Sequence, residues 1–514
     1  MSGRVPAAYE PKGLHCMLSE KAIQSAFKPD DQPFEPAEAC TRVSPRPVCV
    51  DLDGTLVKSD TLIDSLLTLA RIRPLELFRL VRFAATSKAA LKQRAADLAP
   101  LDVTRLPYNR RLLAYLQQQH DDGREIYLTT GADEVLAARI AAHLGIFSGV
   151  MASDGITNLT GSSKLEAMRR SLLSDQFDYI GNALPDLPLL QAAVEPMVAN
   201  PNLPLQAALR VRGVHVSCRF EDRSPRLQAV ISAIRVHQWA KNALMFVPML
   251  LAHSLNRATI LKTLLAFFCF SLCASANYIV NDLLDIESDR RHPSKRNRPF
   301  ASGNLPVAAG LAIALLFFGA AVLGMRYLPR ACAAWFVAYI ASALAYSLWL
   351  KRIVLVDVLV LSGLYTLRMM AGAAATAIPV SAWLTAMSLF LFLSLAMVKR
   401  FSELQNLRAS GLTPRNGRGY KLVDIDQLRS FGTSSAYASV VIFALYINGR
   451  EVISLYHFPQ RLWLIAPLLI LWLSRVWLLA SRGELDEDPV IFALTDRMSL
   501  LIGAAVFVIA FLAI

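Results

Sequence analysis

The sequence predicts a multidomain protein in which an N-terminal α/β domain precedes a C-terminal all-α polytopic membrane bundle of about nine transmembrane helices. Two observations support this fold class. Before about residue 225, charged and apolar residues are mixed as in a globular domain, whereas after it long apolar stretches alternate with short charged loops. The 514 residues are 54% hydrophobic overall, with a formal net charge of +13, so the whole-chain averages conceal this division.

Four parts are expected in chain order. They are a flexible lead over residues 1–45, the α/β domain over 46–205, a linker over 206–232 and the membrane bundle over 233–514. The lead is polar and contains several prolines, and it lacks an apolar core followed by a cleavage site. This pattern predicts a flexible segment and not a signal peptide.

The α/β domain begins with a strand-like run that ends in the sequence DLDGT, residues 51–55. Acidic side chains at the end of a buried parallel strand are costly unless chemistry requires them. Asp51 can attack a phosphoryl group when a cation screens the negative charges. Asp53 emerges on the same side of the strand and can protonate the leaving oxygen. The motif therefore predicts phosphoryl chemistry.

This motif resembles that of the haloacid dehalogenase (HAD) phosphatases, and the later pieces YLTT, GSSK and GNALPD follow in the expected order. The resemblance implies a HAD-like Rossmannoid fold with a helical cap over residues 58–118. It makes Asp51 the nucleophile and Asp53 the general acid/base, with Thr129 as a phosphate donor and Lys164 as the charge neutraliser. The Mg²⁺ ligands it implies are Asp51, Asp53, Asn182 and Asp186.

One residue departs from the HAD pattern. Asn182 stands where the family usually has an aspartate, and an amide carries no charge for the metal. Its carbonyl oxygen can still coordinate Mg²⁺, so we expect weakened binding and not outright loss. The alternative is a domain that has kept the fold as an inactive docking module.

Nine apolar segments after Ser224 are each of about spanning length. They cover residues 238–256, 259–282, 305–325, 331–350, 353–376, 382–398, 431–449, 461–480 and 489–514. Loops rich in Lys and Arg alternate with loops that contain isolated arginines. By the positive-inside rule, we expect the charged loops, the N-terminal domain and the active sites in the cytoplasm. The C-terminus is expected on the opposite side of a bacterial inner membrane.

The loop after the second predicted crossing reads NDLLDIESDRRHPSKRNRP, residues 281–299. Three aspartates recur at spacings of three and four, so they would share one face if the preceding helix continued. Clustered carboxylate oxygens suit Mg²⁺ that is shared with substrate phosphates. A merely solvated loop would need positive charge but not regularly spaced acids. The candidates are Asp282, Asp285 and Asp289 for the metal, and Asn281, Lys295 and Arg298 for phosphate oxygens.

Further polar residues lie at or within the predicted crossings. The candidates for substrate binding are Lys241, Asn242, Arg368, Lys399, Arg400, Glu403, Arg418 and Tyr420. Snorkelling at the interface is the alternative for Lys399 and Arg400, although it leaves Glu403 unexplained. Arg368 lies inside an apolar segment, where a buried base needs an anion. That anion is either a substrate phosphate or Asp357, and the sequence favours neither.

The pattern NDxxDxxxDxxHPxKxxRP together with about nine helices resembles the UbiA superfamily of intramembrane prenyltransferases, over residues 226–514. Members bind a diphosphate through Mg²⁺ held by two acid-rich motifs. Here the second motif is replaced by KRFSE, residues 399–403. With RVHQWAKN and RGY, this is similar to the decaprenyl-phosphate phosphoribosyltransferase branch, which transfers 5-phosphoribose from phosphoribosyl pyrophosphate (PRPP) to a polyprenyl phosphate.

Together the resemblances imply a bifunctional membrane enzyme. Asp282 and Asp285 would serve the transfer, and the HAD domain would remove the 5-phosphate to give polyprenyl-phosphoryl-ribose, a ribose or arabinose donor. Mg²⁺ is the implied cofactor, and PRPP, polyprenyl phosphate and the lipid bilayer are the implied partners. The alternatives are an aromatic prenyltransferase that uses an allylic diphosphate, and a transporter or lipid-binding scaffold. The bases cluster at membrane loops, which argues against nucleic acid as a partner, and the oligomeric state is not indicated.

Overall fold

The computed structural model describes residues 45–83, 88–154, 157–172, 176–409, 419–485 and 488–514. The predicted flexible lead lies outside these residues except for its last position. Contacts between Cα atoms divide the chain into two compact units. One unit holds the residues up to Ala233 together with Val280–Leu311, and the other holds Ile234–Ile279 together with Ala312–Ile514.

The first unit is built on a six-stranded parallel sheet. Its strands are β1 (Val48–Val50), β2 (Ile126–Asp133), β3 (Gly149–Ser153), β4 (Asp178–Gly181), β5 (Pro196–Ala199) and β6 (Cys218–Phe220). The spatial order is β3-β2-β1-β4-β5-β6, and all five pairings are parallel. The chain therefore reverses its winding beside β1, at the type of position where ligands bind in open α/β sheets. This confirms the predicted HAD-like α/β fold.

Helices cover both faces of this sheet. Val48 and Val50 point into one fully buried core and Cys49 into the other, as the alternation of side chains along a strand requires. The helices that follow the cap are α4 (Arg110–Asp121), α5 (Glu134–Leu144), α6 (Ser162–Ser171), α7 (Leu187–Ala192), α8 (Leu203–Val211) and α9 (Arg226–Ile234).

The predicted helical cap is formed by α1 (Thr61–Ile72), α2 (Pro74–Phe83) and α3 (Lys88–Leu98). These three helices enclose a small apolar core of their own, which contains Leu69, Leu80, Ala95 and Ala99. The side chain of Asp60 caps the N-terminus of α1 by accepting from the backbone N–H of Ile63 at 3.0 Å.

The sheet extends beyond the predicted boundary at residue 205. Strand β6 lies within the segment that was predicted as a linker, and it pairs with β5 through Cys218 and Phe220, which are both buried. The α/β fold therefore continues to Phe220, and α8 and α9 also occupy parts of the predicted linker. A three-residue strand is too short to show the alternation by which strands are recognised in a sequence.

The remaining helices are mostly long and apolar. They are α10 (Val247–Leu251), α11 (Arg257–Leu284), α12 (Ile286–Arg290), α13 (Val307–Met325), α14 (Arg330–Leu348), α15 (Val356–Thr376), α16 (Ala382–Ala409), α17 (Ile425–Ile447), α18 (Arg450–Leu455), α19 (Ile465–Ser481), α20 (Pro489–Thr495) and α21 (Arg497–Ala513). On α13, Leu315 and Leu316 are 65% and 68% exposed, as expected for side chains that face lipid. The protein is an integral membrane protein.

Fewer helices qualify as candidate spans within the described residues than the nine crossings predicted. Within the described residues, seven helical segments are long and apolar enough to span a membrane, and an eighth is present if α20 and α21 form one span bent by 78°. The predicted first crossing, residues 238–256, is a 3₁₀ segment (Val236–Phe246) followed by the five-residue α10. Buried Lys241 and Asn242 take side-chain partners here, and Pro248 lacks an N–H, so the segment forms no single long helix.

Candidate functional site

The phosphatase motif of the first unit converges on Asp51, directly after β1. The Nζ atom of Lys164, on α6, lies 2.6 Å from Oδ1 of Asp51 and also donates to the hydroxyl of Tyr179 at 2.8 Å. That hydroxyl donates in turn to Oδ1 of Asp186 at 2.9 Å, and Thr55 Oγ1 donates to Oδ2 of Asp51 at 3.3 Å. The structure thus brings the predicted nucleophile Asp51, the neutralising base Lys164 and the predicted metal ligand Asp186 into one buried network.

Tyr179 is a site residue that the sequence prediction missed. It is fully buried on β4, and its hydroxyl links Lys164 to Asp186. The available signal was a tyrosine in an otherwise buried parallel strand, since a buried tyrosine hydroxyl needs a polar partner.

The two aspartates of the DxDGT motif have environments suited to different roles. Burial raises the pKa of Asp51 to about 6, while the neighbouring ammonium of Lys164 opposes that rise. Burial and then the charge of Asp60 raise the pKa of Asp53 to about 7. Oδ1 of Asp53 accepts from the backbone N–H of Thr61 at 2.8 Å. Asp53 can therefore hold a proton near neutral pH, as a general acid must.

Thr129, the predicted hydrogen-bond donor to phosphate, is fully buried on β2. Its hydroxyl donates to the carbonyl of Val50 at 3.4 Å, so in this structure it secures the end of β1. The hydroxyl of Thr130 accepts from the backbone N–H of Ala132 at 2.9 Å.

A cavity of about 70 Å³ lies between the cap and the sheet, and Asp53, Thr61, Asp133 and Lys92 are among its lining residues. Lys92, on cap helix α3, donates to Asn158 Oδ1 at 2.8 Å and to the carbonyl of Gly131. The cap thus places a positive charge beside the general acid. Lys92 was not predicted, because nothing in the local sequence of α3 distinguishes it from a solvated lysine.

The donor atoms near Asp51 fit a Mg²⁺ ion. Oδ1 of Asn182 is buried and has no hydrogen-bond partner among the residues that the structure describes, although buried carbonyl oxygens are almost always satisfied. Both oxygens of Asp186 are occupied, since Oδ2 accepts from the backbone N–H groups of Asn182 and Ala183 at 3.0 and 3.1 Å. Over the described ranges, no three His, Cys, Asp or Glu side chains form a metal cluster. A metal here would therefore depend on mixed carboxylate and amide oxygens, which Mg²⁺ accepts.

The acid motif of residues 281–299 also belongs to the first unit. Helix α11 ends at Leu284 and α12 begins at Ile286, with the backbone N–H of Asp285 donating to the carbonyl of Asn281 and the N–H of Asp289 donating to the carbonyl of Asp285. The acids take different partners. Nη1 of Arg298 bridges Asp282 Oδ1 at 3.1 Å and Asp289 Oδ2 at 2.8 Å, whereas Asp285 Oδ1 lies 3.2 Å from Nη1 of Arg71 on α1.

These contacts show which partners the residues of the acid motif have in this structure. Asp282 and Asp289 converge on one cation, as two ligands of a Mg²⁺ ion would, and here the cation is the Arg298 guanidinium. Arg298 was predicted to meet phosphate, yet it holds two predicted metal ligands. Asn281 and Lys295 are both half-buried in the same segment.

In the second unit, two predicted phosphate-binding lysines meet at one acid. Lys241 and Lys399 each place Nζ 2.7 Å from Oδ2 of Asp488. Asp488 precedes α20 and caps it by accepting from the backbone N–H of Val490 at 3.2 Å. The sequence prediction missed Asp488, although the acidic run GELDEDP before the last apolar segment was the signal.

Arg368 is buried near these lysines, and its side-chain partners lie far from it in the sequence. Its Nε donates to Asn242 Oδ1 at 2.7 Å and its Nη2 to the hydroxyl of Tyr339 at 3.2 Å. The guanidinium also lies over the ring of Tyr365, as does Nζ of Lys241. In the part of the chain that the structure describes, no carboxylate lies within ion-pair distance of Arg368.

Asp357 pairs with Arg400, and within the described residues no ion pair joins it to Arg368. Nη2 of Arg400 donates to Asp357 Oδ1 at 3.0 Å, Nε donates to the second oxygen, and Nη1 binds both oxygens of Glu403 at 2.7 and 2.8 Å. The hydroxyl of Tyr346 takes a further bond from Nη2 at 3.0 Å. Arg400 thus contacts two carboxylates and one tyrosine hydroxyl in this structure.

The two remaining predicted substrate-binding residues are Arg418 and Tyr420. Arg418 lies outside the described residues. Tyr420 is buried, and its hydroxyl accepts from the backbone N–H of Leu355 at 3.1 Å, which anchors the start of α15.

Comparisons with known proteins match both parts of the chain. The UbiA prenyltransferase family model matches residues 243–502. The uncharacterized protein y4nM of Sinorhizobium fredii is 37% identical over 463 residues, which cover 90% of this chain and 89% of that protein. A decaprenyl-phosphate phosphoribosyltransferase of Mycobacterium tuberculosis is 34% identical over 281 residues, covering 54% of this chain and 91% of its own length. Among solved structures, a HAD family hydrolase from Salmonella enterica serovar Typhi covers 34% of this chain and 66% of that chain, with 13% identity and a TM-score of 0.26.

Proposed function

Because the chain belongs to the UbiA prenyltransferase family, we propose that its membrane part transfers 5-phosphoribose from PRPP to a polyprenyl phosphate. The HAD-like domain then removes the 5-phosphate to leave polyprenyl-phosphoryl-ribose. The Mycobacterium tuberculosis relative, named as a decaprenyl-phosphate phosphoribosyltransferase, supports the choice of substrates.

The observation that carries the proposal is a group of three cations with one contacting carboxylate within the described residues of the second unit. Lys241 and Lys399 share the carboxylate of Asp488. Arg368 has the neutral partners Asn242 and Tyr339. Buried or half-buried bases without enough acid are costly unless an anion binds. PRPP and a polyprenyl phosphate both supply phosphate groups, so these substrates bring more negative charge than an aromatic acceptor would.

The transfer needs no dedicated general base. An ionised oxygen of the polyprenyl phosphate attacks C1 of PRPP, the bond from C1 to the pyrophosphate oxygen breaks, and pyrophosphate leaves with its electron pair. Asp282, Asp285 and Asp289 are the residues that would hold Mg²⁺, which neutralises charge on the departing pyrophosphate when bound. Lys241, Lys399 and Arg368 carry positive charge that attracts phosphate oxygens.

The second reaction uses the network around Asp51. A carboxylate oxygen of Asp51 attacks the 5-phosphorus, and the bond to the sugar O5 breaks as Asp53 donates its proton to that oxygen. Water then cleaves the aspartyl phosphate and gives its proton to Asp53, which releases inorganic phosphate. Lys164 offsets the negative charge that accumulates beside Asp51. Asp51, Asp53, Asn182 and Asp186 are the groups that would hold Mg²⁺ here.

We further propose that both reactions take place at the cytoplasmic face of a bacterial inner membrane. The alternation of loops rich in Lys and Arg with loops that contain only isolated arginines supports this orientation. The inclusion of Val280–Leu311 in the same compact unit as the α/β domain supports a common side for the phosphatase and the acid motif.

The test uses the purified full-length protein with Mg²⁺, PRPP and decaprenyl phosphate. We expect release of pyrophosphate followed by inorganic phosphate, and mass spectrometry of the lipids should detect decaprenyl-phosphoryl-ribose. Asp282→Asn should remove both releases. Pyrophosphate release without a lipid-linked pentose would contradict the proposal, as would consumption of an allylic diphosphate in place of PRPP.

A further inference from the structure

The segment that carries the transferase acid motif is bound to the loop that follows the phosphatase motif, within the first unit. Nη1 of Arg290, at the end of α12, lies 2.8 Å from Oδ2 of Asp64 on α1, and Nη2 donates to Ser59 Oγ at 3.0 Å. The side chains of Arg290 and Asp64 are only 3% and 1% exposed. A residue more than 200 positions away in the sequence thus forms a buried ion pair beside the phosphatase site.

A short series of contacts connects this pair to the general acid. Ser59 Oγ donates to Asp64 Oδ2 at 2.7 Å, and the carbonyl of Ser59 accepts from the backbone N–H of Gly54 at 3.2 Å. At the other end of the same loop, the backbone N–H of Thr61 donates to Asp53 Oδ1 at 2.8 Å. Hydrogen bonds from Gly54 to Ser59 and from Thr61 to Asp53 therefore join the two ends of the loop that follows Asp53. Arg290 contacts this loop through Ser59.

A second contact joins the same two segments. Gly303 has a φ of +72°, and a Cβ atom at this position would lie 2.6 Å from Cβ of Lys58. Only glycine allows the backbone of residue 303 to come this close to the loop. The loop is thus held at Lys58 as well as at Ser59.

The ion pair is better suited to fixing geometry than to adding stability. Burying two charges costs several kcal/mol per ion before pairing, and the net contribution of such a pair is often near zero. Oδ1 of Asp64 is buried without a hydrogen-bond partner, so the pair is not fully satisfied. Nε of Arg290 donates to the carbonyl of Ala301 at 3.1 Å, which fixes the plane of the guanidinium.

We propose that Arg290 is a positioning residue for the phosphatase: a side chain of the acid-motif segment that orients the loop carrying Asp53. This inference rests on the phosphatase activity proposed above. It implies that the two activities share one structural element, so that a change in the transferase segment alters proton donation in the phosphatase.

The test compares two phosphate esters with different leaving groups on the full-length protein in the presence of Mg²⁺. β-Glycerophosphate has an alkoxide leaving group that needs a proton, whereas p-nitrophenolate leaves readily without one. Arg290→Gln should lower kcat for β-glycerophosphate by about 10-fold or more, and kcat for p-nitrophenyl phosphate by less than about 3-fold, because a misplaced acid affects the poor leaving group most.

The matched control is Arg291→Gln. Arg291 is the next residue and pairs with Glu287 at 2.9 Å, but its side chain is 59% exposed. Arg291→Gln should leave kcat for both esters within about 2-fold of the wild type, because exposed ion pairs contribute little. Ser59→Ala is the milder companion variant, which removes the hydroxyl link while keeping the ion pair. It should show the same selectivity between the two esters, and it decides the matter if Arg290→Gln does not fold.

Three outcomes would refute the proposal: an equal loss on both esters, a result for Arg290→Gln that matches Arg291→Gln, or no selectivity in Ser59→Ala. If the wild-type protein hydrolyses neither ester, the proposed phosphatase activity fails instead, and the two failures are thereby distinguished.

Discussion

The ammonium group of Lys164 lies 2.6 Å from the carboxylate of Asp51, although 113 residues separate them in the chain. Both side chains are largely buried, and Asp186 lies 3.9 Å from the same ammonium. One base thus stands between two acids at the end of the central strand. The arrangement holds the nucleophile close to a positive charge that can also meet the negative charge of a phosphate ester.

Asp51→Asn should abolish release of inorganic phosphate while release of pyrophosphate stays within about 2-fold of the wild type, because an amide cannot form the covalent intermediate. The lipid product should then retain its 5-phosphate, which mass spectrometry of extracted lipids measures directly. Unchanged phosphate release would show that the HAD-like domain is not a phosphatase of this mechanism.

Asn182→Asp should lower the Mg²⁺ concentration for half-maximal phosphatase activity by about 3- to 10-fold. The amide oxygen of Asn182 is buried without a partner, and a carboxylate at this position would add roughly 1 kcal/mol of attraction for the cation. The control is Asn202→Asp, which places the same charge at the N-cap of α8, where the side chain accepts from Leu205. A Mg²⁺ dependence that is equal in both variants would exclude Asn182 as a ligand.

Asp488→Asn should raise the KM for PRPP by about 10-fold or more with a smaller change in kcat. Without the carboxylate that both Lys241 and Lys399 contact, the two ammonium groups repel each other and lose their common orientation. Asp488→Glu keeps the charge and should recover most of the affinity. Asp496→Asn is the matched control, since Asp496 also caps a helix of the same bent pair but binds Arg475. Equal KM values for Asp488→Asn and Asp496→Asn would contradict the role assigned to Asp488.

Arg368→Gln and Arg400→Gln should affect different properties. Arg400→Gln leaves fully buried Asp357 without its cation, so the free energy of unfolding should fall by about 3–5 kcal/mol. Arg368 has no carboxylate partner among the described residues, so Arg368→Gln should change stability less but weaken substrate binding. Thermal unfolding in detergent, with and without added pyrophosphate, measures both effects. A stabilising shift by pyrophosphate that persists in Arg368→Gln would argue against an anion at this arginine.

Much of the fold and of the chemistry follows from local patterns. Each of the main motifs can be recognised within a few residues, since strand alternation, helix period and hydropathy are local properties. These motifs are DLDGT after an apolar strand, the regularly spaced acids of residues 281–299 and the apolar segments after Ser224. The parallel sheet, the helical cap and the membrane helices were predictable for this reason. The three-residue strand β6 was not, because its place in the sheet depends on its pairing with β5.

The sequence by itself determined which groups are present: paired acids after a strand, three acids and several bases at a membrane helix, and a basic motif in place of a second acidic one. Only the tertiary structure decided their partners. Asp357 pairs with Arg400, which lies 43 positions away in the sequence. Asp488 pairs with both Lys241 and Lys399. Arg290 pairs with Asp64 beside the phosphatase loop. A buried charge must find an opposite charge wherever the packed chain brings one within a few ångströms, and sequence spacing does not specify that distance.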